Sequence, residues 1–186
     1  MNSLRHQEHA IQEQVVLLDE AGRSIGTALK AEVHHDATPL HLAFSCYVFD
    51  DDGRVLLTRR ALDKRAFPGV WTNSFCGHPG PEEAMADAVM RRAHQELGID
   101  IADLRCVLPD FRYQAVDASG VMENEVCPVF CGRAVGALHA DPAEIVEWAW
   151  VPWHQLGAAA QLSWAISPWA AEQVPLLDAA GVGRVD

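Results

Sequence analysis

The chain has 186 residues, of which 49% are hydrophobic, enough to build the core of one domain. It carries 14 basic and 26 acidic residues, and this formal net charge of −12 argues against nonspecific binding to nucleic acid. There is no run of 18 or more apolar residues, so we expect neither a membrane span nor a membrane partner.

The N-terminal segment and the cysteines predict an intracellular location. Residues 1–14 are polar and mixed in charge, unlike a secretory signal, and predict a poorly ordered leader before a single domain over 15–186. Five irregularly spaced cysteines do not predict a disulfide framework, so we expect reduced thiols and a cytoplasmic location. Four of them lie in apolar runs, whereas Cys76 has Asn73, Ser74 and Gly77 as neighbours, which indicates exposure to a ligand.

The first half of the chain reads as short strands and turns. The predicted elements are a strand at 15–18, a turn at 19–22, a hairpin of strands 41–49 and 55–59 around 50–53, and a loop at 67–71. The hairpin prediction depends on Asp52-Gly53, because this dipeptide favours the tight turn between two antiparallel strands.

The middle of the chain predicts a helix over residues 82–97. Pro81 suits a first helical turn, and Glu82 and Glu83 would complement the helix dipole. Gly98 is typical of the residue that ends a helix.

The second half alternates between strand and helix patterns. We predict strands at 111–115 and 122–130 around a turn at 117–120, a strand at 148–151 and a closing helix at 168–180. Such a mixture of strands and helices predicts an α+β fold, or α/β sandwich.

The chemistry is concentrated in residues 72–79, TNSFCGHP, together with Tyr113, Glu123 and Glu125. A thiol lies two residues from an imidazole, and the two glutamates alternate, which places them on one face of a strand. These groups can bind a metal and transfer protons on both sides of a small substrate. We therefore predict an enzyme that moves protons rather than one that cleaves bonds.

The predicted helix carries a pattern that resembles the Nudix box, a loop–helix–loop that binds metal-complexed diphosphates. The matching positions are Gly77, Glu83, Arg91, Glu96, Gly98 and Ile99. Nudix hydrolases carry glutamate at two further positions, which here are Arg92 and Gln95. Arg92 and Glu96 are four residues apart on one helix face, where the arginine can bind a phosphate oxygen. We expect diphosphate binding with poor activation of hydrolytic water, because carboxylates that would hold the metal ions are missing.

Over residues 15–169 the chain resembles type I isopentenyl-diphosphate Δ-isomerases of the Nudix superfamily. The most specific segments are 72–79 and 123–130, supported by 40–45, 67–71 and 167–169. The resemblance implies a Nudix-like mixed sheet flanked by helices. It also implies interconversion of isopentenyl and dimethylallyl diphosphate through a tertiary carbocation, formed by protonation and deprotonation, in the supply of isoprenoids such as carotenoids.

The resemblance implies a role for individual residues. Cys76 and Glu125 would face opposite sides of the C=C bond, with Tyr113 beside the glutamate. The implied metal ligands are His34, His41, His78, Glu123 and Glu125. A second ion, Mg²⁺, would bridge the diphosphate through Glu96 and the backbone carbonyl of Cys76. The implied substrate contacts are Lys30, Arg60, Lys64 and Arg92 for the diphosphate and Trp164 for the cationic intermediate. His35 stays open as an alternative to His34, and Zn²⁺, Mn²⁺ and Mg²⁺ are not ranked at the His/Glu site.

Two other functions are compatible with parts of the pattern. A Nudix diphosphate hydrolase is disfavoured by Arg92 and Gln95, and a noncatalytic diphosphate-binding module would not need Cys76, Tyr113 and Glu125. The expected partner is a small allylic or homoallylic diphosphate, and the polar composition permits a monomer or a weak dimer.

Overall fold

The computed structural model describes residues 13–183, which form two β-sheets and four helices. The strands are β1 (Gln14–Leu18), β2 (Ser24–Leu29), β3 (His41–Leu42), β4 (Phe44–Phe49), β5 (Val55–Arg60), β6 (Trp71–Thr72), β7 (Phe75–Gly77), β8 (Asp100–Leu108), β9 (Arg112–Val116), β10 (Met122–Val126), β11 (Val129–Val135) and β12 (Ile145–Val151). The helices are α1 (Lys30–Val33), α2 (Met85–Leu97), α3 (Trp153–Ala159) and α4 (Pro168–Ala179). Within this part of the chain, none of the helices has the length and apolarity that a membrane span requires.

Both sheets mix parallel and antiparallel pairs. The first sheet has the order β2-β1-β3-β10-β9, and the second has the order β12-β5-β4-β11-β8, with β6 pairing β5 and β7 pairing β4. The strand pairs β3–β10 and β4–β11 are parallel. This architecture confirms the predicted α+β fold with mixed sheets and flanking helices.

The segments around Ala43 and Val126 run side by side as they pass from the first sheet to the second. This corrects the prediction of unbroken strands at 41–49 and 122–130. The backbone N–H of Ala43 donates to Val126 O at 2.9 Å, and that of Ser45 donates to Pro128 O at 3.1 Å. Pro128 has no N–H to offer a strand neighbour, so the ladder is interrupted at this point. Residues before the crossing belong to the first sheet, and residues after it belong to the second.

The second sheet has a hydrophobic cluster on each face because side chains alternate along β4. Phe44, Cys46 and Val48 pack into one cluster with residues of α2, among them Leu97. Ala43 and Tyr47 belong to the other cluster, with residues of α3 and α4. The helices therefore cover both faces of this sheet, as expected for a sheet whose central strand is apolar on both sides.

Helix α2 begins at Met85, three residues later than predicted. Glu82 has a positive φ of 63°, and the Glu83 carboxylate accepts the Gly80 N–H at 2.7 Å and pairs with Arg91. Pro81, Glu82 and Glu83 therefore form a loop before the helix rather than its first turn. The predicted C-terminus is confirmed, because Gly98 is left-handed with φ of 67° and donates to His94 O.

The remaining differences concern element ends and weakly patterned segments. The predicted strand 148–151 begins at Ile145, and the predicted helix 168–180 ends at Ala179. Strands β2 and β8 were not predicted, since β2 is largely exposed and β8 lacks regular alternation. Residues 1–12 of the predicted leader lie outside the described residues, and its last residue, Gln14, begins β1.

Candidate functional site

A cavity of about 450 Å³ gathers most of the predicted site residues from both sheets. Those that line it are Lys30, His34, Arg60, Lys64, Cys76, His78, Arg92, Tyr113, Glu123 and Glu125. Glu125 and Tyr113 are paired in register on β10 and β9 of the first sheet, whereas Cys76 lies on β7 of the second. The crossing of the chain between the sheets thus places a carboxylate and a thiol around one space.

Three imidazoles and a carboxylate form a compact cluster at this cavity. The candidate ligand atoms of His34, His41, His78 and Glu125 all lie within 4.8 Å of one another. The Glu123 carboxylate adjoins the cluster, with its Oε2 3.0 Å from His34 Nε2. His41 Nδ1 lies 2.9 Å from Pro39 O, which can only accept, so Nδ1 donates a proton there and Nε2 faces Glu125 Oε1 at 3.4 Å.

Several polar atoms of this cluster are buried without a well-aligned hydrogen bond, even where a carboxylate and an imidazole lie within 3.4 Å of each other. They are His34 Nε2, His41 Nε2, His78 Nδ1 and Glu123 Oε2. A buried polar atom without a partner costs about 1–3 kcal/mol, so four at one place need an explanation. Imidazole and carboxylate together are a common donor set for divalent metals, and the cluster can hold such an ion.

The structure separates the two adjacent histidines. His34 points into the cluster, and its side chain is 10% exposed. The side chain of His35 is 45% exposed and lies within 3.5 Å of Asp36, outside the cluster. The geometry therefore favours His34 over His35 as the candidate ligand.

Burial and hydrogen bonding set the charges in the cluster. Burial lowers the pKa of His78 to about 4, so its ring is neutral and can offer a lone pair. Burial alone would raise the pKa of Glu125, but the adjacent imidazoles of His41 and His78, the second hydrogen-bonded to it, outweigh burial and hold that pKa well below its usual range. The Tyr113 hydroxyl donates to Glu125 Oε2 at 2.9 Å, and burial keeps its own pKa well above normal. Tyr113 is therefore a protonated donor beside an ionised carboxylate.

The Cys76 thiol is partly exposed to the cavity and has two polar neighbours. Its Sγ lies 3.3 Å from Asn73 Oδ1 and 3.5 Å from Ser45 Oγ. Burial raises the pKa of the Cys76 thiol to about 12, so without substrate it is a neutral thiol. This state is unlike the preformed thiolate of a Cys–His hydrolase.

The predicted diphosphate contacts line the same cavity, each with polar partners. Lys30 pairs with Glu13 at 2.5 Å, Lys64 pairs with Glu144, and Arg92 lies between Glu144 and Glu96. Glu13 and Glu144 were not predicted as site residues, since no local pattern connects Glu144 with Lys64, 80 positions away.

Arg60 is held differently from the other cations, by backbone carbonyls and an aromatic ring. Its guanidinium donates to Ala66 O at 2.9 Å and to Phe67 O at 3.2 Å. It also lies 5.6 Å from the ring centroid of Trp169, within range of a cation–π contact.

Three predicted residues do not line the cavity, and one of them is His41, whose ring is fully buried in the His/Glu cluster behind it. Trp164 is 82% exposed in the turn between α3 and α4, and the indole at the cavity wall is that of Trp169, which donates to Asn73 Oδ1 at 2.9 Å. The predicted contact of Trp164 is therefore absent from this arrangement, because the turn carries its side chain outward. Glu96 is buried behind Arg92, to which it is hydrogen-bonded.

Comparison with known proteins assigns the fold and relates the chain to enzymes. Residues 39–176 match the family described as the NUDIX domain. An isopentenyl-diphosphate Delta-isomerase from Mycolicibacterium vanbaalenii is 70% identical over 174 residues, covering 94% of this chain and 96% of the relative. One from Clavibacter michiganensis subsp. michiganensis is 58% identical over 166 residues, covering 89% of this chain and 86% of the relative.

Solved structures with low sequence identity share the fold. A crystal structure of a Deinococcus radiodurans protein superposes with a TM-score of 0.65 at 20% identity, covering 88% of this chain and 98% of that one. A MutT protein from Methanosarcina mazei has a TM-score of 0.60 at 18% identity, covering 77% of this chain and 96% of that one. These likenesses support the mixed-sheet architecture alone.

Proposed function

The chain belongs to the isopentenyl-diphosphate Delta-isomerases of the Nudix superfamily, and we propose that Cys76 and Glu125 carry its proton transfers. It is an isomerase, and its Nudix domain supplies the fold rather than a hydrolytic function. The substrate pair is isopentenyl diphosphate and dimethylallyl diphosphate, which differ only in the position of one double bond.

Moving that double bond requires a proton to be added at one carbon and another to be removed nearby. An unactivated alkene is a very weak base, and its protonation creates a tertiary carbocation without resonance stabilisation. The protein must therefore stabilise positive charge and keep an acid and a base within reach of the same substrate. The cavity meets this requirement with an ionised carboxylate, two aromatic rings and a thiol, contributed by Glu125, Tyr113, Trp169 and Cys76.

Glu125 and Tyr113 form one proton-transfer pair, because the tyrosine hydroxyl is hydrogen-bonded to the carboxylate. A divalent ion held by His34, His41, His78, Glu123 and Glu125 would supply positive charge that polarises the Glu125 carboxyl. Tyr113 can then pass a proton between Glu125 and the alkene carbon. We propose Mn²⁺, Zn²⁺ or Mg²⁺ as the ion at this cluster.

Cys76 exchanges the second proton. With Cys76 as a thiol and Glu125 as a carboxylate, the thiol gives its proton to the alkene and the Glu125–Tyr113 pair accepts one from the carbon on the other side of the cation. The opposite direction starts with that proton on the Glu125–Tyr113 pair and the sulfur as a thiolate, so the pair gives a proton and Cys76 accepts one. The substrate gains one proton and loses one in each turnover, and proton exchange with solvent returns both enzyme groups to their starting state.

The diphosphate is bound by Lys30, Arg60, Lys64 and Arg92, whose side chains line the cavity. Mg²⁺, with Glu96 and the Cys76 backbone carbonyl as proposed contacts, would neutralise part of the diphosphate charge. Arg92 stands where a hydrolase would have a carboxylate, and it forms a buried pair with Glu96. This arrangement supports binding of the diphosphate without its cleavage.

Two further features are part of the proposal. The products would supply the synthesis of isoprenoids such as carotenoids or quinones. The predicted contact between Trp164 and the cationic intermediate would require the turn between α3 and α4 to move toward the cavity.

The observation that carries the proposal is the convergence of Cys76 and the Glu125–Tyr113 pair on one cavity from two sheets. Cys76→Ala and Glu125→Gln test it by separating binding from turnover. We expect substrate binding, measured by calorimetry, to persist within about fivefold, because the cations are unchanged. Turnover should fall by about 10²–10⁴-fold, the usual contribution of a positioned acid or base.

Cys106→Ala is the matched control, because this thiol is exposed and outside the cavity. It should retain wild-type turnover and binding. Unchanged turnover in Cys76→Ala or Glu125→Gln would contradict the proposed mechanism.

A further inference from the structure

A buried polar network lies behind the Cys76 thiol and has no part in the proton transfers described above. It joins β4 to α4 through Ser45, Tyr47 and Gln173, and all three side chains are fully buried. Polar groups so deep in a core are costly unless each has a hydrogen-bond partner, so their directions are informative.

The hydrogen bonds in this network have fixed directions. The Tyr47 hydroxyl donates to Gln173 Oε1 at 2.9 Å, since a carbonyl oxygen can only accept. The Gln173 amide nitrogen is then turned to Ser45 and donates to its Oγ at 3.0 Å. Ser45 therefore accepts from the amide, and its own hydrogen is left for the sulfur atoms of Cys76 and Cys127, at 3.5 and 3.4 Å.

Asn73 provides the complementary contact on the Cys76 sulfur. Its amide nitrogen donates to the backbone carbonyls of Cys46 and Phe75, at 3.0 and 2.7 Å, which fixes the orientation of the amide. Asn73 Oδ1 therefore faces Cys76 Sγ at 3.3 Å and can only accept a hydrogen bond. The sulfur has an acceptor for its thiol hydrogen on one side and a hydroxyl donor on the other.

We propose that Ser45 is a positioning residue for Cys76. Gln173 and Tyr47 direct the hydroxyl hydrogen of Ser45 to the Cys76 sulfur. While the thiol proton is on the substrate, the Ser45 hydroxyl turns from Cys127 and donates to the charged Cys76 sulfur. When the proton returns, the thiol donates to Asn73 and the Ser45 hydrogen is again shared between the two sulfurs. This inference rests on the proposed role of Cys76.

Ser45→Ala tests the proposal because it should change kcat while leaving KM nearly constant. Hydrogen bonds to charged groups contribute enough for a roughly 10- to 100-fold effect, so kcat should fall by that factor. KM for isopentenyl diphosphate should stay within twofold, because Ser45 does not touch the cavity. The reverse reaction should slow by the same factor, because the equilibrium between substrate and product is unchanged.

Ser45→Thr and Cys127→Ala are the companion variants. Threonine keeps the hydroxyl and should restore kcat to within about fivefold of wild type. Cys127→Ala removes the competing sulfur and should leave kcat at or above wild type, although it opens a small void beside Ser45. A purely structural role of Ser45 would instead lower kcat in Cys127→Ala as well, or change KM and thermal stability without changing kcat.

Tyr47→Phe covers the case in which Ser45→Ala does not fold. It removes the donor that orients Gln173 without touching either sulfur, and kcat should fall severalfold at unchanged KM. Wild-type kcat in Ser45→Ala, or in Tyr47→Phe if the first variant is unfolded, would overturn the proposal. If Cys76→Ala is inactive, such a result overturns only the role of Ser45. If Cys76→Ala keeps full turnover, the proposed role of Cys76 is itself wrong, and the role of Ser45 is overturned with it.

Discussion

At the scale of single residues, the site gathers several basic side chains in a chain whose formal net charge is −12. Lys64 shows the consequence most clearly, because it is largely buried beside Glu144 and near other cations. Burial lowers the pKa of Lys64 to about 8, well below its ordinary value of 10.5. A phosphate contact that titrates close to neutral pH makes substrate affinity dependent on pH.

We predict that KM for isopentenyl diphosphate rises as pH increases through about 8, because Lys64 then loses its positive charge. Folding stability should rise over the same range in which affinity for the substrate falls. Below about pH 8 Lys64 is charged in both states, and its charge costs more in the folded protein than in the unfolded chain, so it destabilises the fold. Between about pH 8 and 10.5 the folded lysine has lost its proton while the unfolded one keeps it, so this destabilisation fades as pH rises. Steady-state kinetics and thermal melts from pH 7 to 9.5 would separate the two effects.

Lys64→Arg is the matched control for this pH dependence. The guanidinium stays charged throughout the range, so KM should become nearly flat between pH 7 and 9.5. The same rise in KM in this variant would assign the titration to another group.

At the scale of elements, the close approach of β7 to α2 positions Arg92. A Cβ atom built on Gly77 would lie 2.8 Å from Phe44 Cζ and 2.9 Å from Arg92 Cγ. Gly77 therefore permits a contact that no larger residue would allow, and it places the Arg92 stem beside the strand that carries Cys76. The position of the Arg92 guanidinium follows from this packing.

We predict that Gly77→Ala raises KM severalfold and destabilises the fold by about 1–3 kcal/mol, the usual cost of overpacking. The added methyl group must displace the Phe44 ring or the Arg92 stem, and the latter movement shifts a phosphate contact. Gly80→Ala, three residues further along the chain, is the control, because its Cβ would meet no atom closer than 3.6 Å. Equal KM values for Gly77→Ala and wild type would show that Arg92 does not depend on this approach.

At the scale of the whole molecule, the site depends on the joint between the two sheets. His41 and Glu125 lie on adjacent parallel strands just before the crossing, while Cys76 lies on the second sheet. His34 and His78 come from outside these strands, so the His/Glu cluster joins distant parts of the chain. An ion bound there would stabilise the folded state, since the unfolded chain has no such site.

We predict that Mn²⁺ or Zn²⁺ raises the thermal midpoint of the metal-stripped protein. At 100 times the dissociation constant, the gain is about 2.7 kcal/mol, or roughly 5–10 °C for a domain of this size. His34→Ala should lose most of this shift, whereas His35→Ala should keep it, because His35 lies outside the cluster. An equal shift in both variants would place the ion elsewhere.

The site was more predictable from sequence than the path of the chain. Residues 72–79 supply Cys76 and His78 within one short segment, and the alternation of Glu123 and Glu125 places both on one strand face. The crossing between sheets was not predictable, because it depends on pairing between residues such as Ala43 and Val126, 83 positions apart.

The two neighbouring tryptophans show the same limit at shorter range. The segment 163–169 contains both Trp164 and Trp169, and only the start of α4 decides which indole points inward. Ser167 caps that helix by accepting from the Ala170 N–H, and this turns Trp169 into the core. Spacing in the sequence carries no such information about direction.

The measurement that tests the central claim most directly is proton NMR of isopentenyl diphosphate with the enzyme in D₂O, with Mg²⁺ and Mn²⁺ present. Both alkene signals and released phosphate would be followed in one sample. The account predicts dimethylallyl diphosphate that carries deuterium, because Cys76 and the Glu125–Tyr113 pair exchange their protons with the solvent D₂O before they transfer them to the substrate. It predicts no release of phosphate, because Arg92 binds the diphosphate intact. Release of phosphate with an unmoved double bond, or product formed without deuterium, would contradict it.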